Sequence, residues 1–199
     1  MESRRPGTFA LRAFLPLVGA SLFGSSAEAH LLGAHGAAAA GGFAHPFVGL
    51  DHLVAMVAVG VWAVQQGGRA MWAVPASFVG AVTIGGAFGL VGGTLPATES
   101  VIAGSLIVLG LLVGLAVRPA PWIAACIVGF FALFHGYAHG GELPVAAAPW
   151  QYALGFIVAT ATLHGIGMLG GLALGAKPLL RWAGAGVTAA SLMFVLGAY

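Results

Sequence analysis

Long apolar stretches, broken by short polar or Gly/Pro-rich turns, divide the chain. Beyond residue 29 six such stretches stand out, at about 46–66, 70–92, 99–117, 120–140, 149–175 and 179–198. Each is long enough to cross a hydrocarbon layer of ~30 Å as a helix rising ~1.5 Å per residue. An open chain in lipid must satisfy every backbone N–H and C=O internally, so helix is the predicted state. The connectors carry turn-forming residues: Gln65-Gln66-Gly67-Gly68-Arg69, Gly92-Gly93-Thr94-Leu95-Pro96, Arg118-Pro119-Ala120-Pro121, Gly140-Gly141-Glu142-Leu143-Pro144 and Lys177-Pro178. The pattern predicts an all-α, polytopic transmembrane bundle of six spans.

The first 29 residues follow a different plan. Arg4, Arg5 and Arg12 precede a short apolar run, Ala13 to Gly24, and then Ser25-Ser26-Ala27-Glu28-Ala29. A basic start, a short apolar core and small residues in an Ala-x-Ala arrangement describe a secretory signal peptide. Removal after Ala29 would leave His30 first in a mature domain of residues 30–199.

Composition agrees with a membrane protein. Of 199 residues, 60% are hydrophobic and 6% charged, against about 25% charged in soluble domains. The single Cys126 excludes an intrachain disulfide and a thiolate-rich metal site, and reads as a small core residue. Many of the 33 glycines fall inside the apolar stretches. Gly85/Gly89/Gly93, Gly110/Gly114 and Gly167/Gly171/Gly175 recur at four-residue spacing, which aligns small residues on one helix face for close packing.

Charge sets the orientation. With the leader removed, the mature N-terminus starts outside, and the first, third and fifth connectors face the cytoplasm. They hold Arg69, Arg118 and Lys177, with Arg181 just beyond, while the outward connectors hold Glu99 and Glu142 and no base. This is the positive-inside distribution. It predicts a bacterial inner-membrane protein with both mature termini extracytoplasmic.

That topology puts the polar chemistry on one side. Asp51 and His52 lie one to two turns inside the first span, and Met56 follows His52 by four residues, on the same face. His135 and His139 are again four apart, near the outer end of the fourth span. His164 lies about 14 residues into the fifth, or ~21 Å of helix, near the midplane. None of the seven histidines falls in a cytoplasmic connector. Asp51 is the one carboxylate read as lying within a span, and an intramembrane ionisable group is expensive enough to imply a function. Imidazole with carboxylate suits nickel, zinc, copper or iron.

The run His45-Pro46-Phe47-Val48-Gly49-Leu50-Asp51-His52-Leu53-Val54-Ala55-Met56-Val57-Ala58-Val59-Gly60 resembles the signature of the HupE/UreJ family. Phe134-His135-Gly136-Tyr137-Ala138-His139-Gly140-Gly141-Glu142 resembles its second block. The resemblance implies a permease or facilitator without an ATPase domain, and so not an enzyme. Its cargo would be nickel or cobalt, supplied to urease or hydrogenase. Its metal residues would be His45, Asp51, His52, His135 and His139, with Glu142 close by. His30, His35, Met56, Glu142 and His164 are candidate accessory residues: His30, His35 and Glu142 for capture outside, His164 as the next station inward. No permanent cofactor is expected. The partners are the divalent metal ion and the lipid bilayer, not nucleic acid, with homo-oligomerisation left open. Two other classes compete: a zinc-dependent intramembrane hydrolase, disfavoured because no compelling serine lies at the histidine depth, and a haem-binding electron carrier using His52 with His135 or His164.

Overall fold

A computed structural model describes residues 27–141, 148–175 and 178–195, with side chains described between residues 38 and 192. The described residues form seven helices and no strand: α1 Ala27–Val48, α2 Leu50–Gln66, α3 Ala70–Leu90, α4 Thr98–Gly114, α5 Pro121–Gly141, α6 Pro149–Leu174 and α7 Pro178–Val195. Residues 1–26 of the expected leader, and Glu142, lie outside them, as do the side chains of His30 and His35. α1 runs unbroken through the expected cleavage position at Ala29.

Three helices, α3, α5 and α6, are each long and apolar enough to cross a membrane. α4 is apolar but has 17 residues, ~25 Å of helix against a core of ~30 Å. The segment expected as one span from residue 46 is different. Pro46 lies in the last turn of α1 rather than opening a helix, and the chain bends by 82° between Ala38–Val48 and α2. The bend falls at Gly49, whose extended backbone (φ −83°, ψ 112°) precedes the first turn of α2. Proline at a helix start is favoured because its missing N–H is not needed there. In α1 the same residue sits in the last turn, where its missing N–H leaves the carbonyl of Gly42, four residues back, without its usual helical donor.

The six helices from α2 onward close on one another through glycines. On α3, a Cβ at Gly85 or Gly89 would strike backbone of α5, and one at Gly136 or Gly140 would strike Val82 O or Gly86 O of α3. Gly110 and Gly114 face α7, and Gly167 and Gly171 face α2. The terminal members of two ladders do not join in. Gly93 sits against the Phe88 ring, and Gly175 ends α6 with φ +58° and no neighbour to accommodate.

α2 is central, packing on α1, α3, α4 and α6. Met56, Val59 and Trp62 are fully buried with Val74, Phe78, Leu109 and Val128 in the apolar core. Met56 therefore packs in this core. Cys126 is exposed on α5, correcting its reading as a core residue. A lipid-facing surface accepts a thiol that a water-facing surface would bury.

Charged and polar groups separate to opposite ends. Trp62 Nε1 donates to Val117 O (2.9 Å), Gln65 Nε2 to Val113 O (3.2 Å), Gln66 Nε2 to Val117 O (2.7 Å) and Arg181 Nε to Gly114 O (3.1 Å). These donors serve carbonyls at and just beyond the α4 terminus; Val113 O already accepts from Ala116 N–H at 3.2 Å and gains a second donor, and a cation here also complements the helix dipole. Arg69 and Arg118 follow directly in sequence, so the basic residues gather at this end. Trp72, Trp122, Trp150 and Trp182 stand exposed in the first turns of α3, α5, α6 and α7, where amphipathic rings meet a membrane–water interface.

Candidate functional site

The opposite end collects the histidines. His45 arrives on the last turn of α1 and His52 on the first turn of α2. Seven residues on a straight helix would separate them by ~10.5 Å. The bend at Gly49 brings their ring centroids to 6.2 Å. A Cβ at Gly49 would lie 2.8 Å from His52 Nδ1 and 2.9 Å from Asp51 Oδ1. Glycine here lets the Asp51–His52 pair fold back over the helix start.

α5 contributes the other two rings. His135 and His139 share a face, and their glycine neighbours Gly136 and Gly140 hold α5 against α3. Centroids lie 4.4 Å apart for His45–His139, 4.4 Å for His52–His139 and 5.0 Å for His52–His135. Four imidazoles from three helices thus meet in one spot. His135 and His139 are buried, and His52 is nearly so.

Polar accounting at this spot is unusual. His52 Nδ1 donates to Asp51 Oδ1 at 2.9 Å, and His135 Nε2 is 3.1 Å from Ser105 Oγ. His52 Nε2, His135 Nδ1 and both nitrogens of His139 are buried with no hydrogen-bond partner. An unpaired buried polar group costs about 1–3 kcal/mol, so a concentration of them points to something these atoms bind. Imidazole nitrogens hold first-row divalent ions at about 2.0–2.1 Å. With the ring centre roughly 1.1 Å behind the nitrogen, two imidazoles on one ion have centroids about 4.5–5.2 Å apart for ligand angles of 90–109°. The three closest pairs lie at or near that spacing. As the rings stand, no three His, Cys, Asp or Glu side chains among the described residues close on a common point as a finished metal site.

Two expectations are revised. Asp51 is not one to two turns inside a span. It occupies the first turn of α2, 42% exposed at the side chain, because the helix restarts at Leu50. It lines a cavity of about 720 Å³ between α2, α4 and α7, together with Glu99, Ile102 and Ser191. Glu99, read as a connector residue, belongs to the first turn of α4. A carboxylate at a helix N-terminus is favoured by the dipole, which lowers the cost of Asp51 and Glu99 there.

A serine does reach the histidine depth, though not a catalytic one: Ser105 touches His135. It is fully buried and bonded to Ile102 O at 2.6 Å, so it has neither access to a substrate nor a free proton donor. His52 and His135 are in edge contact, which leaves no slot for a planar macrocycle between them. His164, on α6, lies apart from the cluster. It is buried, both ring nitrogens are unpartnered, and its ring stands 4.9 Å from Phe78, itself 6.3 Å from His135. His139 also borders a second, largely apolar cavity of about 440 Å³ with Thr83, Tyr152 and Phe156. Sequence reading missed Ser105 and Phe78, which as lone residues on apolar helices carry no distinguishing signal.

The fold and this cluster define a multi-pass helical membrane protein with a buried polyimidazole spot near one end. The profile of the HupE / UreJ protein family matches residues 18–194. The chain is 43% identical over 176 residues to Protein HupE of Rhizobium leguminosarum bv. viciae, covering 87% of this chain and 92% of that protein. No solved structure matches the chain. The chain belongs to the HupE/UreJ family.

Proposed function

We propose that this protein carries a divalent transition metal ion, nickel or cobalt, into the cell across the inner membrane, for metalloenzymes such as urease or hydrogenase. It acts as a permease, not an enzyme. One observation carries the reading: four imidazoles on α1, α2 and α5 stand near ligand spacing, and His52, His135 and His139 among them have buried, unpartnered nitrogens.

Removal of the leader, the basic end inside and the histidines outside define the direction. His30, His35 and Glu142 gather the hydrated ion; Asp51 supplies negative charge at the mouth. Modest ring rotations close His45, His52, His135 and His139 on the ion, replacing part of its water. His164 receives it beyond Phe78. Several weak stations suit transport better than one tight site, because the ion must also leave. The membrane potential, negative inside, favours entry by about 2.3 kcal/mol per charge per 100 mV.

Whole-cell uptake of radioactive nickel and cobalt, with zinc as competitor, tests the reading. His52→Ala and Asp51→Asn should each cut uptake at least tenfold at unchanged protein level. Wild-type uptake in both variants refutes it.

A further inference from the structure

We propose that Ser105 is a positioning residue for metal binding: it fixes the tautomer of His135 so that Nδ1 presents its lone pair to the ion. This rests on the reading of the imidazole cluster as the metal site.

The argument follows the protons. Ser105 Oγ lies 2.6 Å from Ile102 O and 3.1 Å from His135 Nε2. A carbonyl oxygen only accepts, so the short contact holds the single hydroxyl proton. The hydroxyl oxygen can then only accept from His135, and Nε2 must carry the N–H. A neutral imidazole with Nε2–H has its lone pair on Nδ1. That Nδ1 is buried without a partner, the disposition of a nitrogen kept for a ligand.

The neighbouring ring is set the opposite way. Asp51 Oδ1 is acceptor-only and takes the Nδ1–H of His52, which leaves the lone pair on the buried, unpartnered Nε2. Two rings with centroids 5.0 Å apart are thus held in opposite tautomers, each by an acceptor behind it. Partners behind a metal-binding histidine fix its orientation and raise its basicity. The acceptor behind His52 is anionic and the one behind His135 is neutral, so His52 is the stronger donor and His135 the one that more easily releases an ion. A hydroxyl present only for helix packing is already satisfied by Ile102 and has no need to meet the ring.

The test uses the full-length protein in lipid nanodiscs, titrated with cobalt(II) and followed by its visible absorption. Ser105→Ala should weaken cobalt binding about 10- to 100-fold and alter the spectrum. Ser105→Thr, which keeps the hydroxyl, should restore most of both, and His135→Ala should be at least as damaging as Ser105→Ala. Nitrogen-15 NMR of the wild-type protein should find His135 as the Nε2–H tautomer before metal is added. If Ser105→Ala binds cobalt as the wild type does while His135→Ala does not, the role of Ser105 is overturned and the site stands. An Nδ1–H tautomer at His135 also overturns it. If His135→Ala binds as the wild type does, the site itself is overturned, and the inference with it.

Discussion

Gly136 offers a sharp test of how helix packing sets the metal spot. It lies between His135 and Tyr137 on α5, and a Cβ there would collide with Val82 O of α3. Backbone atoms on both sides cannot yield by a rotamer change, so the helices must part. Restoring ordinary contact, which begins near 3.4 Å, requires a displacement on the order of 1 Å, at an overpacking cost of about 1–3 kcal/mol. Metal sites tolerate errors of only about 0.2 Å in ligand distance. A shift several times larger at the backbone carrying His135 and His139 should remove at least one of them from the ion. The expected loss for Gly136→Ala is therefore tenfold or more in nickel uptake. Gly86→Ala is the control on the same interface: its Cβ would meet Gly136 O at 3.5 Å, an ordinary contact, and uptake should stay within about twofold of wild type. Uptake in whole cells, normalised to membrane protein level and paired with thermal unfolding in detergent, separates loss of the site from loss of the fold. Wild-type uptake by Gly136→Ala, or equal damage from Gly86→Ala, refutes the reasoning.

Other consequences can be checked alongside. His164→Ala should leave metal bound to the outer cluster, counted per purified protein, yet slow uptake severalfold or more; unaltered uptake removes His164 from the path. Trp62→Phe removes one of the two donors to Val117 O, the other being Gln66, and should lower stability by about 0.5–1.5 kcal/mol, read as a lower Tm, while the metal spot at the other end keeps its affinity; an unchanged Tm contradicts the structural weight given to that bond.

The helical class was written in the apolar stretches. α3, α5 and α6 begin and end within about two residues of the stretches that predict them. Their close packing was legible too, since Gly85, Gly89, Gly110, Gly114, Gly167 and Gly171 all face a neighbouring helix. α1 was not legible. Its Ala- and Gly-rich course before His45 has too little apolar mass to read as a span, and Pro46 imitates a helix start. Its place comes from α6, where backbone at Gly155 approaches Ala39 and backbone at Gly42 approaches Tyr152.

The candidate site divides along the same line. Residue types and local spacing alone put Asp51 beside His52 and aligned His135 with His139, because one helical turn sets both relations. Three-dimensional packing decided the rest. The 82° bend at Gly49 drew His45 toward His52, the Gly136/Gly140 contact with α3 set α5 in place, and packing of α4 brought Ser105 against His135. Periodicity along a chain specifies which face a side chain occupies. Which faces meet depends on contacts between residues from 30 to 116 positions apart, as in Ser105–His135 and Ala39–Gly155, and no local pattern encodes those.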